Sequence, residues 1–174
     1  MKKFDIQFNT PSLIIGEKSD FIASLKYWIN PNKALKAELL YRLSKDGNGV
    51  QKFHKLCDGK GQTVTLVNIG NKVIGGYTPL SWASEGKWKR DNYTFIFNLT
   101  NKKKFVKSKD NIKSIYCLNS RGLRFANFGF NHQMDVLEYY PSYTDFLDGN
   151  QLIPNYTEVQ VEEVEIYKIS TKYK

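Results

Sequence analysis

The sequence predicts an α+β, β-rich fold: a two-sheet antiparallel β-sandwich flanked by short helices. Three observations carry this. Thr63–Asn68 and Lys72–Tyr77 are β-branched and apolar runs joined by Ile69-Gly70-Asn71, which is a hairpin signal. Tyr93, Phe95, Phe97 and Leu99 alternate with Thr94, Ile96 and Asn98, the period of a strand with one strongly apolar face. Eleven Tyr and eleven Phe in 174 residues supply the aromatic bulk that a sheet core uses.

In chain order, Met1–Lys18 holds short β-like runs such as Ser12-Leu13-Ile14-Ile15 and reads as partly extended. Phe21, Leu25 and Trp28 then share a helix face, with Ser19 or Asp20 as cap and Asn30-Pro31 as stop. Ala34, Leu35, Leu39, Leu40 and Leu43 recur at helical spacing, which predicts a helix over Lys33–Leu43. Asp46-Gly47-Asn48-Gly49 breaks it, with Asn48 placed to cap the next element. Val50, Phe53, Leu56 and Cys57 form one face of a second short helix, and Gly59 sits where a left-handed stop is usual. Gly75-Gly76 in the second hairpin strand points to a bulge or to close packing of another backbone.

Ser81–Arg90 reads as a surface loop with two Trp, and Lys102–Lys104 as a turn before a short strand near Phe105-Val106. Lys113–Asn119 is apolar on both faces, which places it centrally in a sheet. Short strands are expected near Arg124–Asn127 and Met134–Glu138. Val159 and Val161 lie on odd positions but Val164 and Ile166 on even ones, so a β-bulge is expected at Glu162-Glu163.

The length suits one domain, 1–174, with its core over about 10–170 and a short basic tail at 170–174. No secretory apolar region and no run near 18 apolar residues is present, so neither secretion nor membrane spanning is expected. The net charge of +9 is unevenly divided. Residues 87–113 hold nine Lys or Arg against Asp91 and Asp110, whereas residues 125–167 hold eight carboxylates and no Lys or Arg. Such a division is either neutralised within the fold or makes a dipole that steers a partner.

Three stretches carry a family resemblance through their order and spacing: LLYRLSKDG at 39–47, FHKLCDGKGQTVTLV at 53–67 and IGGYTPLSW at 74–82. Together they resemble the TLDc domain of oxidation-resistance proteins and of BTB/TLDc-type relatives in protists and fungi. FIASLKYWI at 21–29, NYTFIFNL at 92–99 and VEEVEIYKI at 161–169 extend the likeness over most of the chain. The resemblance puts structural positions at Arg42, Asp46, Gly47, Gly59, Gly75, Gly76, Trp82 and Gly122. One departure is clear. Many relatives carry consecutive glycines after the Cys117 strand, whereas this chain has Ser120–Phe125 and Asn127-Phe128-Gly129, a place where partner choice would differ.

Catalytic signals are weak. His54, Cys57 and Asp58 fall at i, i+3 and i+4, the spacing of a Cys–His nucleophilic pair. However, Cys57 lies on the apolar helix face and Asp58-Gly59 belongs to the stop, so a buried, reduced thiol is expected, as for Cys117. With two His, two Cys and no CxxC, no metal site is expected, and no phosphate, nucleophile-elbow or dinucleotide motif implies a cofactor. Glu162, Glu163 and Glu165 read as the solvated face of an edge strand, with an acidic contact patch as the alternative. Trp82 is expected in the core. Trp88, Arg90 and Lys102–Lys104 are the candidate partner contacts. The basic stretch lacks interleaved stacking aromatics, which argues against sequence-specific nucleic-acid binding.

Three functions remain in view. The resemblance implies a non-enzymatic interaction module that binds the peripheral sector of the vacuolar-type proton ATPase, regulates its assembly, and supports oxidative-stress resistance. Its place would be the cytoplasm, at the surface of acidic organelles. The first alternative is a binder of anionic RNA or phospholipid through residues 87–113, whose mark is steep salt dependence. The second is a thiol-based antioxidant enzyme using Cys57, whose mark is a reactive, low-pKa thiol.

Overall fold

The computed structural model describes residues 5–110, 112–153 and 157–171. Its helices are α1 (Ser19–Ile29), α2 (Leu43–Asp46) and α3 (Val50–Cys57). The first strands are β1 (Ile6–Phe8), β2 (Leu35–Arg42), β3 (Thr63–Ile69), β4 (Lys72–Thr78), β5 (Lys87–Arg90), β6 (Phe95–Asn98) and β7 (Lys103–Phe105). They are followed by β8 (Lys113–Cys117), β9 (Arg124–Phe125), β10 (Phe128–Phe130), β11 (Val136–Tyr139), β12 (Glu158–Gln160) and β13 (Glu163–Thr171).

Two sheets make the sandwich. The seven-stranded one runs β1-β2-β13-β3-β4-β6-β7 and the six-stranded one β12-β11-β10-β9-β8-β5. Among the described residues, the strands pair antiparallel except β1 with β2. Between the sheets, Val67, Ile74, Ile96, Val164 and Ile166 pack with Ile115, Phe125, Phe128, Phe130 and Leu137 in one core. The opposite face of the seven-stranded sheet has its own core. There Leu66, Val73, Phe95, Phe97, Tyr167 and Ile169 pack against Leu25 of α1 and Ile14 and Ile15. The larger sheet is therefore buried on both faces, which is why its central strands read as continuous apolar runs.

That double burial explains the main correction. Residues 35–42 form strand β2, not a helix over Lys33–Leu43. Leu35, Ala37 and Leu39 alternate toward the α1-side core, whereas Leu40 and Tyr41 pack into the core between the sheets. The register against β13 skips Leu40, pairing Ile166 with Tyr41 and Tyr167 with Leu39. A bulge in a strand with two apolar faces breaks the period of two and mimics helical spacing.

The phase change near Glu162-Glu163 is not a bulge within one strand. β12 belongs to the smaller sheet and β13 to the larger. Val161 N–H still donates to Asp135 O at 2.9 Å, and Glu162 N–H already donates to Asn68 O at 2.9 Å, so the chain changes sheet between them. Ser12–Ile15 lies in a turn region rather than a strand. α1 starts after Lys18 without a side-chain cap. Part of the Ser81–Arg90 loop is strand β5, and Phe128–Phe130 is a further strand, β10.

Other elements form as the residues dictate. The hairpin of β3 and β4 pairs without a register break, so Gly75-Gly76 marks close packing and no bulge. A Cβ on Gly75 would lie 1.9 Å from Thr65 O, and one on Gly76 would lie 2.5 Å from Phe125 Cζ. α3 buries Val50, Phe53 and Cys57, and its first amides donate to a distant turn: Gly49 N–H to Gln133 O and Val50 N–H to His132 O, both at 2.9 Å. Asn48 does not cap α3; its amide donates to Asp135 Oδ2. Gly59 has φ of +70° just past α3 and donates its N–H to Trp82 O at 3.0 Å. Of the basic tail, residues 172–174 lie outside the described residues.

Candidate interaction surface

The cysteine site is closed. Cys57 and Cys117 are free and buried, and burial pushes both thiols up from their ordinary value. His54 is occupied elsewhere. Its Nε2–H donates to Leu118 O at 2.9 Å, and its Nδ1 lies 2.9 Å from Asp58 Oδ1, which ties α3 to the turn after β8. A nucleophile needs thiolate character and access, and Cys57 has neither. Among the described residues no group of three or more His, Cys, Asp or Glu side chains is placed to hold a metal ion.

The glutamates divide. Glu165 is fully buried on the central strand β13, with Arg42 Nη2 2.7 Å from its Oε1. Ser12 Oγ also donates to it, as does Leu13 N–H at 2.8 Å. Arg42 donates further to Pro11 O at 2.6 Å. Burial disfavours the Arg42 charge, but Glu165 and Tyr167 outweigh this, and its pKa is raised. Glu163 is also buried and accepts from Ser44 N–H at 3.1 Å, at the start of α2. Glu163 and Glu165 are therefore internal fastenings and no solvated edge or contact patch. Glu162 is exposed and accepts from Asn68 Nδ2 at 2.8 Å.

The other family positions are structural. Asp46 Oδ2 accepts the Arg42 N–H at 2.8 Å, and Gly47 ends α2 with φ of +83°. Trp82 is buried, donates Nε1–H to Thr63 Oγ1 at 3.0 Å, and meets Phe53 and Phe125 edge-on. A Cβ at Gly122 would lie 2.3 Å from Met134 Sδ.

The outer face of the six-stranded sheet is different. Its register aligns Trp88, Tyr116, Arg124, Gly129, Glu138 and Glu158 across five strand pairings. Neighbouring residues Ile115, Phe125, Phe128, Phe130 and Leu137 point into the core, so this row points out. Arg124 lies across it, its guanidinium carbon 4.0 Å from the Tyr140 ring centroid, 5.3 Å from Trp88 and 5.4 Å from Tyr143. Lys113 Nζ lies 5.3 Å from Trp88 and 5.9 Å from Tyr143. Gly129 makes room, since a Cβ there would lie 2.9 Å from Arg124 Cβ. Arg124 Nε is buried without a hydrogen-bond partner, and among the described residues no carboxylate is within ion-pair distance of this guanidinium. Beside it Arg121 pairs with Glu138 at 2.9 Å, and Tyr140 donates to the same carboxylate.

Of the candidate contacts, Trp88 belongs to this face, half-buried against Tyr116, and Arg90 is exposed on the same edge strand. Lys102–Lys104 lie elsewhere, at β7: Lys102 pairs with Asp20 at 3.4 Å and Lys103 donates to Gln151 at 3.3 Å. Sequence reasoning missed Arg124, Lys113, Tyr116, Tyr140 and Tyr143. In sequence β8 reads as apolar on both faces, whereas Ile115 and Cys117 are buried and Tyr116 is half-buried on the outer face. Arg124 becomes visible only once the register is known.

The fold is a two-sheet sandwich with sealed thiols and an aromatic, cationic outer sheet face. The TLDc domain family model matches residues 8–170, and the chain belongs to that family. The family acts in oxidative-stress biology, is generally non-catalytic, and has a regulatory, protein-interaction role. No curated protein matches the chain significantly.

Proposed function

We propose that this domain binds the peripheral sector of the vacuolar-type proton ATPase at the surface of acidic organelles, biases its assembly, and thereby contributes to oxidative-stress resistance. Family membership supports the partner, and the outer face around Arg124 supports a docking surface. An Arg held by aromatic side chains with an unpaired Nε is the type of residue that anchors an interface. The mechanism is differential binding: a surface that contacts the detached sector better than the assembled enzyme shifts the equilibrium toward separation.

The anionic-surface alternative loses support from the geometry of its cations. Lys87 pairs with Glu85, Lys102 with Asp20, and Lys107 turns inward to the carbonyl oxygens of Ile112 and Lys113.

The test mixes the domain with assembled ATPase near physiological salt and follows ATP hydrolysis and sedimentation of the peripheral sector. The expected result is release of that sector, lost in Trp88→Ala and Arg124→Glu. Absence of binding would mean that the family gives this chain its fold without this partner.

A further inference from the structure

A concave feature lies away from the Arg124 face, where β7 approaches α1. Trp28 and Ile29 of α1, Tyr77 of β4, Phe95 of β6 and Lys104 of β7 line a pocket of about 280 Å³, with Tyr93 at the rim. The register explains why these residues meet. Phe97 pairs with Lys104 on β7 and with Gly75 on β4, so Lys104 emerges on the sheet face that also carries Tyr77 and Phe95.

Lys104 Nζ lies 4.3 Å from the Phe95 ring centroid and donates to Trp28 O at 3.3 Å. Among the described residues no carboxylate is within ion-pair distance of it. Partial desolvation lowers its pKa, so an anion placed there would recover the lost solvation. Tyr93 is 76% exposed and Val106 44% exposed, large apolar groups with no cover. The volume is slightly below the roughly 300–1,000 Å³ of small-molecule sites and suits one inserted aromatic side chain. Exposed Lys102 and Lys103 adjoin Lys104 in the chain, and this local excess of positive charge complements an acidic segment.

We propose that this pocket receives an aromatic side chain of an acidic partner segment, with the adjacent carboxylate on Lys104. The assignment rests on the reading of the chain as an interaction module, but not on the identity of its partner. Phe95 and Tyr77 form the walls, Tyr93 closes over the inserted ring, and Lys104 selects for the neighbouring charge.

The test uses an acetylated, amidated pentapeptide of four glutamates around a central phenylalanine. Two counterparts replace the phenylalanine with alanine or the glutamates with glutamine. Binding to the full chain is followed by heteronuclear NMR and titration calorimetry. The expected result is shifts at Trp28, Thr94 and Phe95, with affinity about tenfold weaker for either counterpart, for Lys104→Met and for Tyr93→Ala. Tyr93 is exposed, so that variant keeps its fold, and Arg124→Gln leaves peptide binding unchanged. Equal binding of the alanine peptide, or unchanged binding in Lys104→Met, overturns the proposal. So does binding of phosphatidylserine vesicles through Lys104 without peptide binding. Peptide binding without ATPase binding retains the pocket and removes the ATPase reading, whereas the opposite pattern removes the pocket alone.

Discussion

Arg42 and Glu165 are 123 residues apart in sequence and form an ion pair of 2.7 Å inside the fold, on neighbouring strands of the seven-stranded sheet. Ser12 and Leu13 also donate to Glu165, and Arg42 also donates to Pro11 and Tyr167. The pair therefore fastens residues 11–13 to the centre of the sheet.

Removing one partner leaves a buried charge without compensation. Glu165→Ala is expected to cost about 3–5 kcal/mol, and the Arg42→Met, Glu165→Leu double variant much less. Urea unfolding of the singles and the double checks this. A Glu165→Ala loss under about 1 kcal/mol would show that water reaches the site and screens the charge.

Gly75 and Gly76 have no positive φ, so their requirement is space and not backbone strain. Gly76→Val drives a side chain into the Phe125 ring and is expected to destabilise by about 1–3 kcal/mol. An unchanged melting temperature would mean that the two sheets separate at that point without cost.

Both thiols are sealed and held protonated by burial. Labelling with a maleimide at neutral pH is expected only on unfolding. Rapid labelling of Cys57 in the native protein would revive the thiol-enzyme reading.

Lys107 offers a pH test. Burial pulls its pKa from 10.5 down to about 8. Below pH 8 both states carry the proton, so the burial penalty is present in full. Between pH 8 and 10.5 the unfolded chain holds a proton that the folded chain has lost, so the lysine's contribution to stability rises with pH. The stability of the protein relative to Lys107→Met should increase across that window. A flat difference would place the Lys107 ammonium in water.

Local patterns are legible where the physics is local. α3 with its Gly59 stop, the β3–β4 hairpin and the Phe95–Asn98 strand follow from spacing and turn chemistry. β2 reads as a helix in sequence because a bulge at Leu40 between two apolar faces imitates helical spacing. The candidate site is legible at Trp88 and not at Arg124, whose neighbours Trp88, Tyr140 and Tyr143 come from other segments of the chain.

By itself the sequence determined the β-rich class, the hairpin, the buried thiols and the family, because propensity, turn residues and ordered motifs act over short distances. Only the tertiary structure decided that Glu163 and Glu165 lie inside, that residues 158–171 span two sheets, and that Arg124 lies on an aromatic outer face. Those outcomes depend on which strands pair and in which register. A carboxylate in a strand looks the same in sequence whether it meets water or a buried arginine from across the sheet.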